Sequence, residues 1–258
     1  MANIQVVSKE NHSDKRWRRS KGFEFAKNDS ICPLVLSELP AAMMKLPIAF
    51  IQRESSYYVV AVQGLMPETN SFVADDGSWL GDYIPAQYRA HPFLLARNED
   101  GSELLCLQGD VQLFGGGDEG EDFFDNEGEP VAEIKEILQF LTNISLSQKA
   151  ALRACEALKE ECLFTPWKLQ LATDEGEQNV EGLFKINEEA LNKLSADKLI
   201  SLRDAGALGL IYCQLLSMQN IYKLVDMLKS QLVQKNTFGK ELYLDASNES
   251  GNISFDSY

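Results

Sequence analysis

The apolar residues of this chain change period near Pro130, from alternation to a helical spacing, and no other feature limits the fold as strongly. Before that point, residues 47–51 and 57–65 are rich in β-branched and aromatic side chains and flank the polar run Arg53-Glu54-Ser55-Ser56, which predicts a hairpin. A second hairpin is predicted where residues 93–97 and 103–107 flank Asn98-Glu99-Asp100-Gly101, because Asp-Gly supplies the positive φ that short turns demand. Both hairpins are expected to share a mainly antiparallel sheet. After Pro130 one apolar stripe runs through Ile134, Ile137, Leu138 and Leu141, and a second through Ala151, Cys155, Leu158 and Cys162. A pair of short strands is expected at 167–171 and 180–186, separated by the polar run 173–179. Asn187 is a fitting N-cap for the helices that follow. Ile211, Leu215, Met218, Tyr222 and Val225 then hold one stripe through a long C-terminal helix ending near Asn236. The expected fold class is α+β: an N-terminal mainly antiparallel sheet packed by C-terminal helices. One domain is expected over residues 1–235, with a possible subdivision near 115–130, and a polar flexible tail over 236–258.

Charge narrows the partners. Lys plus Arg number 24 against 39 Asp plus Glu, a formal charge of −15, so most of the surface would repel a phosphate backbone, which argues against general nucleic-acid binding. The local exception is Lys15, Arg16, Arg18, Arg19 and Lys21 around Trp17, which could meet an anionic surface or serve as a solvated arm. Residues 115–130 carry a triple glycine followed by seven carboxylates from Asp118 to Glu129. They predict a solvated acidic loop, since the ligand order of an EF-hand is absent. Five cysteines without a CxxC pair fit reduced thiols. With no apolar stretch long enough to span a bilayer, and no secretory signal pattern, the expected location is cytoplasmic.

The motifs of common enzymes are missing. His12 and His91 are the two histidines, and neither stands in a spacing that offers two imidazoles to one metal. No GxSxG elbow, Walker A loop or GxGxxG occurs. No metal, cofactor or catalytic residue is assigned, although 39 carboxylates leave carboxylate-only catalysis open.

The densest run of unusual residues is Gly64-Leu65, Asn70-Ser71-Phe72-Val73, Asp75-Asp76-Gly77-Ser78-Trp79, Tyr83-Ile84-Pro85-Ala86 and Arg89-Ala90-His91-Pro92-Phe93. In order and spacing this run resembles the SapC family, whose pattern has a Gly-Leu strand end, Asn-x-Phe-Val, an Asp-Gly-x-Trp turn, Tyr-Ile-Pro and an Arg-x-x-Pro-Phe exit. Pro47-Ile48-Ala49-Phe50, Phe124-Asp125-Asn126-Glu127-Gly128-Glu129 and Gly182-Leu183-Phe184-Lys185-Ile186-Asn187 are similar to further elements of that family, so the resemblance covers most of residues 12–230. Ser71 stands where the family often has Leu, and Ala90 where it often has Arg or Lys. The resemblance implies a bacterial source and an accessory role in surface-layer (S-layer) protein secretion, uptake or peptide modification, with no catalytic residues to carry over. The expected function is therefore that of a non-catalytic accessory protein binding a peptide or protein partner, with a metal-dependent or carboxylate-only enzyme acting on a peptide as the alternative. If the chain has a ligand surface, the candidates are Asn70, Asp75, Trp79, Tyr83 and Arg89. They gather amide, carboxylate, aromatic and guanidinium groups in one stretch, and Arg89 offers a planar fork to a carboxylate. The competing expectation is that Trp79 and Tyr83 fill core and Arg89 pairs with Asp75 or Asp82.

Overall fold

A computed structural model describes residues 4–98, 101–109, 113–115, 120–173, 176–234 and 243–245. In chain order the N-terminal half contains β1 (Ile4–Val6), α1 (Lys9–His12), β2 (Lys15–Trp17), β3 (Ile31–Pro33), α2 (Leu39–Ala42), β4 (Ile48–Arg53), β5 (Ser56–Val62), α3 (Ala86–Ala90), β6 (Phe93–Arg97) and β7 (Glu103–Gln108). The short strands β8 (Phe114–Gly115) and β9 (Glu121–Asp122) lead to α4 (Ala132–Glu160). Beyond it come β10 (Phe164–Pro166), β11 (Leu169–Thr173), β12 (Gly176–Val180), β13 (Leu183–Ile186), α5 (Glu188–Asn192), α6 (Ala196–Asp204), α7 (Ala207–Ser217), α8 (Asn220–Gln234) and β14 (Tyr243–Asp245). The fold is α+β with antiparallel sheets, as the change of period predicts.

The central sheet has the order β10-β13-β4-β5-β3. Ile48, Ala49 and Phe50 are consecutive and fully buried, as are Val60 and Ala61, so both faces of β4 and β5 are covered. Helix α4 packs on β5, and α7 packs on β4 and β13. Strands β4 and β13 pair at Ile51–Leu183 and Phe50–Phe184. Beyond those pairs the Gln214 side chain takes the place of the ladder: its Oε1 accepts from Ile186 N–H (3.1 Å) and its Nε2 donates to Ile48 C=O (3.3 Å). Asn220 Nδ2 donates to the carbonyls of Met43 and Leu46, so the last two helices satisfy polar groups of the N-terminal half.

Both predicted hairpins form, with β4 and β5 closing at Arg53–Ser56 and β6 and β7 at Arg97–Glu103. They do not share a sheet: β6 and β7 join β1 in a separate three-stranded sheet, ordered β1-β7-β6. The cause is a second apolar cluster of Trp17, Phe93, Leu107, Phe123, Ile134 and Leu141, which gives that sheet a core of its own. The two helical stripes after Pro130 merge into the single 29-residue α4. Its first part packs on the second cluster, while Ala151, Ala154, Cys155 and Leu158 pack on the main one. Cys162, expected on that stripe, lies past the helix end, exposed and at φ 54°. Gly176–Asn179 of the polar run, with Val180, form a strand paired with β11, a ladder that backbone bonding sustains without apolar alternation. The C-terminal stripe is broken after Ser217 into α7 and α8. Asn187 caps α5 as expected, accepting from Ala190 N–H at 3.0 Å. Within the segment expected to be a tail, Tyr243–Asp245 pair with Gln170–Ala172, and its other residues lie outside the described ones.

Candidate functional site

The segment from Gly64 to Phe93 links β5 to β6: Leu65 and Phe72 join the main apolar cluster, Ala90 and Phe93 the second, and Val73 and Tyr88 a small third one with Ala26 and Cys32. Its first glycine is dictated by space, because a Cβ on Gly64 would lie 1.9 Å from the Thr69 carbonyl oxygen. Asn70 is buried beside it and fully employed. Its Oδ1 accepts from Phe72 N–H (3.0 Å), and its Nδ2 donates to Ala26 C=O (3.0 Å) and toward Gln63 Oε1 (3.3 Å). The Tyr88 hydroxyl lies 2.7 Å from that Gln63 oxygen and 2.9 Å from Asp29 Oδ2. Burial raises the pKa of both Tyr88 and Asp29.

The Asp75-Asp76-Gly77-Ser78 turn is tight, with Gly77 at φ 80°. Asp76 Oδ1 accepts from the Ser78 N–H (2.9 Å) and hydroxyl (2.7 Å), bonds that lower its pKa. Asp75 points outward, its side chain 71% exposed, 3.4 Å from Lys27 Nζ. Trp79, half-buried, stacks on Phe72 (5.5 Å, 17°) and donates its Nε1–H to Tyr83 C=O at 3.1 Å. The aromatic stretch thus folds over its own backbone.

Tyr83 is placed by a residue that the motif pattern did not single out. The carboxylate of Glu38 is buried, 6% exposed, and accepts three hydrogen bonds: Val35 N–H (2.9 Å), the Tyr83 hydroxyl (2.8 Å) and Ala86 N–H (2.8 Å). It closes a short 3-10 turn at 36–38 and holds the N-terminus of α3. The one sequence sign is a Glu three residues after Val35 at the start of a helical turn. Burial first, then Glu38, pushes the Tyr83 phenol above its ordinary pKa, keeping it a donor.

Arg89 projects from α3 into solvent, its guanidinium 5.9 Å over the Tyr83 ring and 5.2 Å over Phe140 of α4. The two carboxylates considered as its partners are engaged elsewhere, Asp75 with Lys27 and Asp82 with Lys45 at 2.7 Å. Among the described residues no carboxylate pairs with the Arg89 fork. The structure therefore brings Tyr83 and Arg89 together, sets Trp79 behind them as packing, leaves Asp75 at the turn tip and places Asn70 inside.

Next to Arg89 opens a cavity of about 310 Å³, walled by Leu34 after β3, Ala90 of α3, Leu94 and Leu95 of β6, and Leu141 and Ile144 of α4. His91 forms part of its rim and stacks on Phe25 at 3.6 Å; burial lowers its pKa, which disfavours the charged ring. A smaller cavity of about 120 Å³ follows along α4, lined by Arg53, Tyr58 and Leu152, with Pro33, Leu34 and Gln148 common to both. Elsewhere Trp17 is buried at 1% exposure, and Arg16 forms a bidentate pair with Asp122 (2.7 and 3.0 Å), so part of the basic segment is built into the fold. In the acidic loop, Asp125 Oδ1 accepts from the N–H groups of Glu127 and Glu129, making a backbone turn; residues 116–119 lie outside the described ones. Among the described residues, no three His, Cys, Asp or Glu side chains converge on a point that could hold a metal, and no single helix is long and apolar enough to cross a membrane.

No curated protein and no solved structure matches the chain. A model of the SapC family matches residues 7–224 of the 258, a span that holds the turn, the Glu38 anchor, Arg89 and both cavities, and the chain belongs to the SapC family.

Proposed function

We propose that this chain is a non-catalytic accessory protein that binds a carboxylate-bearing peptide or protein segment at the surface formed by Tyr83, Arg89 and the cavity beside them. The observation that carries this reading is the Arg89 fork. It stands exposed on an aromatic shelf, while Asp75 and Asp82, the two acids considered as its partners, are held by lysines. An Arg stacked on aromatic rings is ordered before it meets a partner, which lowers the entropic cost of gripping a carboxylate with two parallel hydrogen bonds. The pathway, surface-protein secretion, uptake or peptide modification in a bacterium, is proposed from family membership alone.

The test uses wild type, Arg89→Lys and Arg89→Ala immobilised side by side and exposed to lysate of the source organism, with the melting temperature of each recorded. A partner held by wild type and lost from both variants, at unchanged melting temperature, supports the reading. Equal capture by folded Arg89→Ala removes the arginine from the site.

A further inference from the structure

We infer that the bound segment is taken up as an added β-strand along the outer edge of β6, inside the 310 Å³ cavity; this rests on the peptide-binding reading above and specifies its form. Strand β6 is the last strand of its sheet, and among the described residues no strand pairs with its far side. The ladder to β7 fixes which backbone groups that side presents. Asn98 N–H bonds Ser102 C=O and Gln108 N–H bonds Pro92 C=O, so positions 92, 94, 96 and 98 spend their groups on β7. Phe93, Leu95 and Arg97 are the alternate positions, and their N–H and C=O groups face away from β7. These residues line the cavity, so the unpaired edge opens into a walled space of about the size at which ligand pockets begin.

The opposite wall comes from the edge of the central sheet, and it is chemically closed to pairing. Leu34 N–H bonds Val59 C=O, which directs Ile31, Pro33 and Val35 outward. Pro33 has no N–H, and the Val35 N–H is taken by Glu38. Of the two edges, only β6 therefore offers a repeating pattern of donors and acceptors. An unprotected edge is what proteins ordinarily avoid by charge, proline or cover. Here the proline guards β3, and β6 is covered only by the walls of the cavity.

Charge and length describe the occupant. The two cavities have Arg53, Arg97 and Glu103 as their charged lining; Glu103 lies 3.9 Å from Arg97 and 3.8 Å from Lys149, and Arg89 stands one residue before Ala90 of the lining. Arg53 and Arg89 have no carboxylate partner among the described residues, so cationic groups outnumber carboxylates along the groove of a chain whose net charge is −15. From Phe93 to Arg97 the edge spans about 13 Å, room for four or five extended residues. The occupant is thus an extended segment of that length, with apolar side chains toward Leu34, Leu141 and Ile144 and an acidic group or terminal carboxylate for the arginines.

The test starts with amide hydrogen exchange on the full-length protein. The N–H groups of Leu94 and Ala96 are expected to be protected and those of Phe93, Leu95 and Arg97 to exchange freely. A display library of five-residue random segments flanked by Asp or Glu is then selected on wild type. Enriched peptides should alternate apolar and polar residues and protect the Phe93, Leu95 and Arg97 amides. Leu95→Pro, which removes an outward N–H and leaves the β7 ladder intact, should lose at least tenfold in affinity. N-methylation of alternate peptide residues should do the same on unmodified protein, whether or not the proline variant folds. The inference is overturned if the three amides are already protected, if no peptide is enriched, or if N-methylated peptides bind equally well. Loss with N-methylation but none with Arg89→Lys keeps the strand addition and discards the carboxylate reading, and the reverse result keeps only the latter.

Discussion

Replacing Glu38 by Gln tests whether one buried carboxylate sets the geometry of the site. Glu38 Oε2 accepts from the Tyr83 hydroxyl and Ala86 N–H, and Oε1 from Val35 N–H. A glutamine keeps one oxygen. In its better orientation that oxygen stays with Tyr83 and Ala86, and the amide NH2 is set against the Val35 N–H, donor to donor. The change loses one hydrogen bond to a charged group, worth about 1.5–3 kcal/mol, and leaves a buried donor without a partner. A net loss of about 2–3 kcal/mol corresponds to about 30- to 150-fold in the folding equilibrium. Urea unfolding followed by tryptophan fluorescence measures it, and Trp79 reports from the site itself because its Nε1–H bonds the Tyr83 carbonyl. Tyr83→Phe, losing one donor to the same carboxylate, should cost about half as much. A Glu38→Gln protein within about 0.5 kcal/mol of wild type would refute the argument, since that is the range of ordinary surface substitutions.

Three further outcomes follow from individual positions. Gly64→Ala should destabilise by more than about 2 kcal/mol in the same unfolding assay, because its Cβ would enter the Thr69 carbonyl and a backbone must move. Burial lowers the pKa of His91 and of His12 from 6.5, so the unfolded chain takes up those protons first; their contribution is complete above 6.5 and is lost as pH falls through it toward the lower folded values. His91→Phe, which keeps the stack on Phe25, should flatten the fall of melting temperature between pH 7.5 and 5, and an unchanged slope would count against the lowered pKa of this ring. In thiol titration of native protein, exposed Cys162 should react at once, while Cys155, its thiol pushed up to about 12, and the buried Cys32, Cys106 and Cys213 should lag. Five groups should appear after denaturation without reductant.

What the sequence made legible was local. The hairpin at 53–56, the cap at Asn187 and the turn at Gly77 each depend on a few neighbouring residues with fixed chemical preferences. The separation of the two hairpins into different sheets was not legible, because it depends on Trp17, Phe123 and Ile134, distant in the chain, meeting beside β6. Gly176–Asn179 read as a turn since polar composition was weighed above backbone pairing. In the candidate site, the closeness of Tyr83 and Arg89 was visible in their spacing. The role of Glu38 was hidden, because its partners lie 45 and 48 residues away and a lone glutamate in sequence looks like any solvated acid.

The long helix α4 has a consequence for how the molecule responds. Its buried side chains stop at Leu141 and resume at Ala151, so about 15 Å of helix passes between the two apolar clusters with no side chain fully enclosed. The larger cavity lies against this span, and the smaller one continues from Gln148 past its end to Cys155. In mechanical terms α4 is a shaft clamped at two ends and open in the middle, and a segment seated on β6 would act as a third bearing. Occupancy should therefore be felt first in how rigidly the two ends of the shaft turn together, with calorimetric unfolding shifting to higher temperature when the groove is filled.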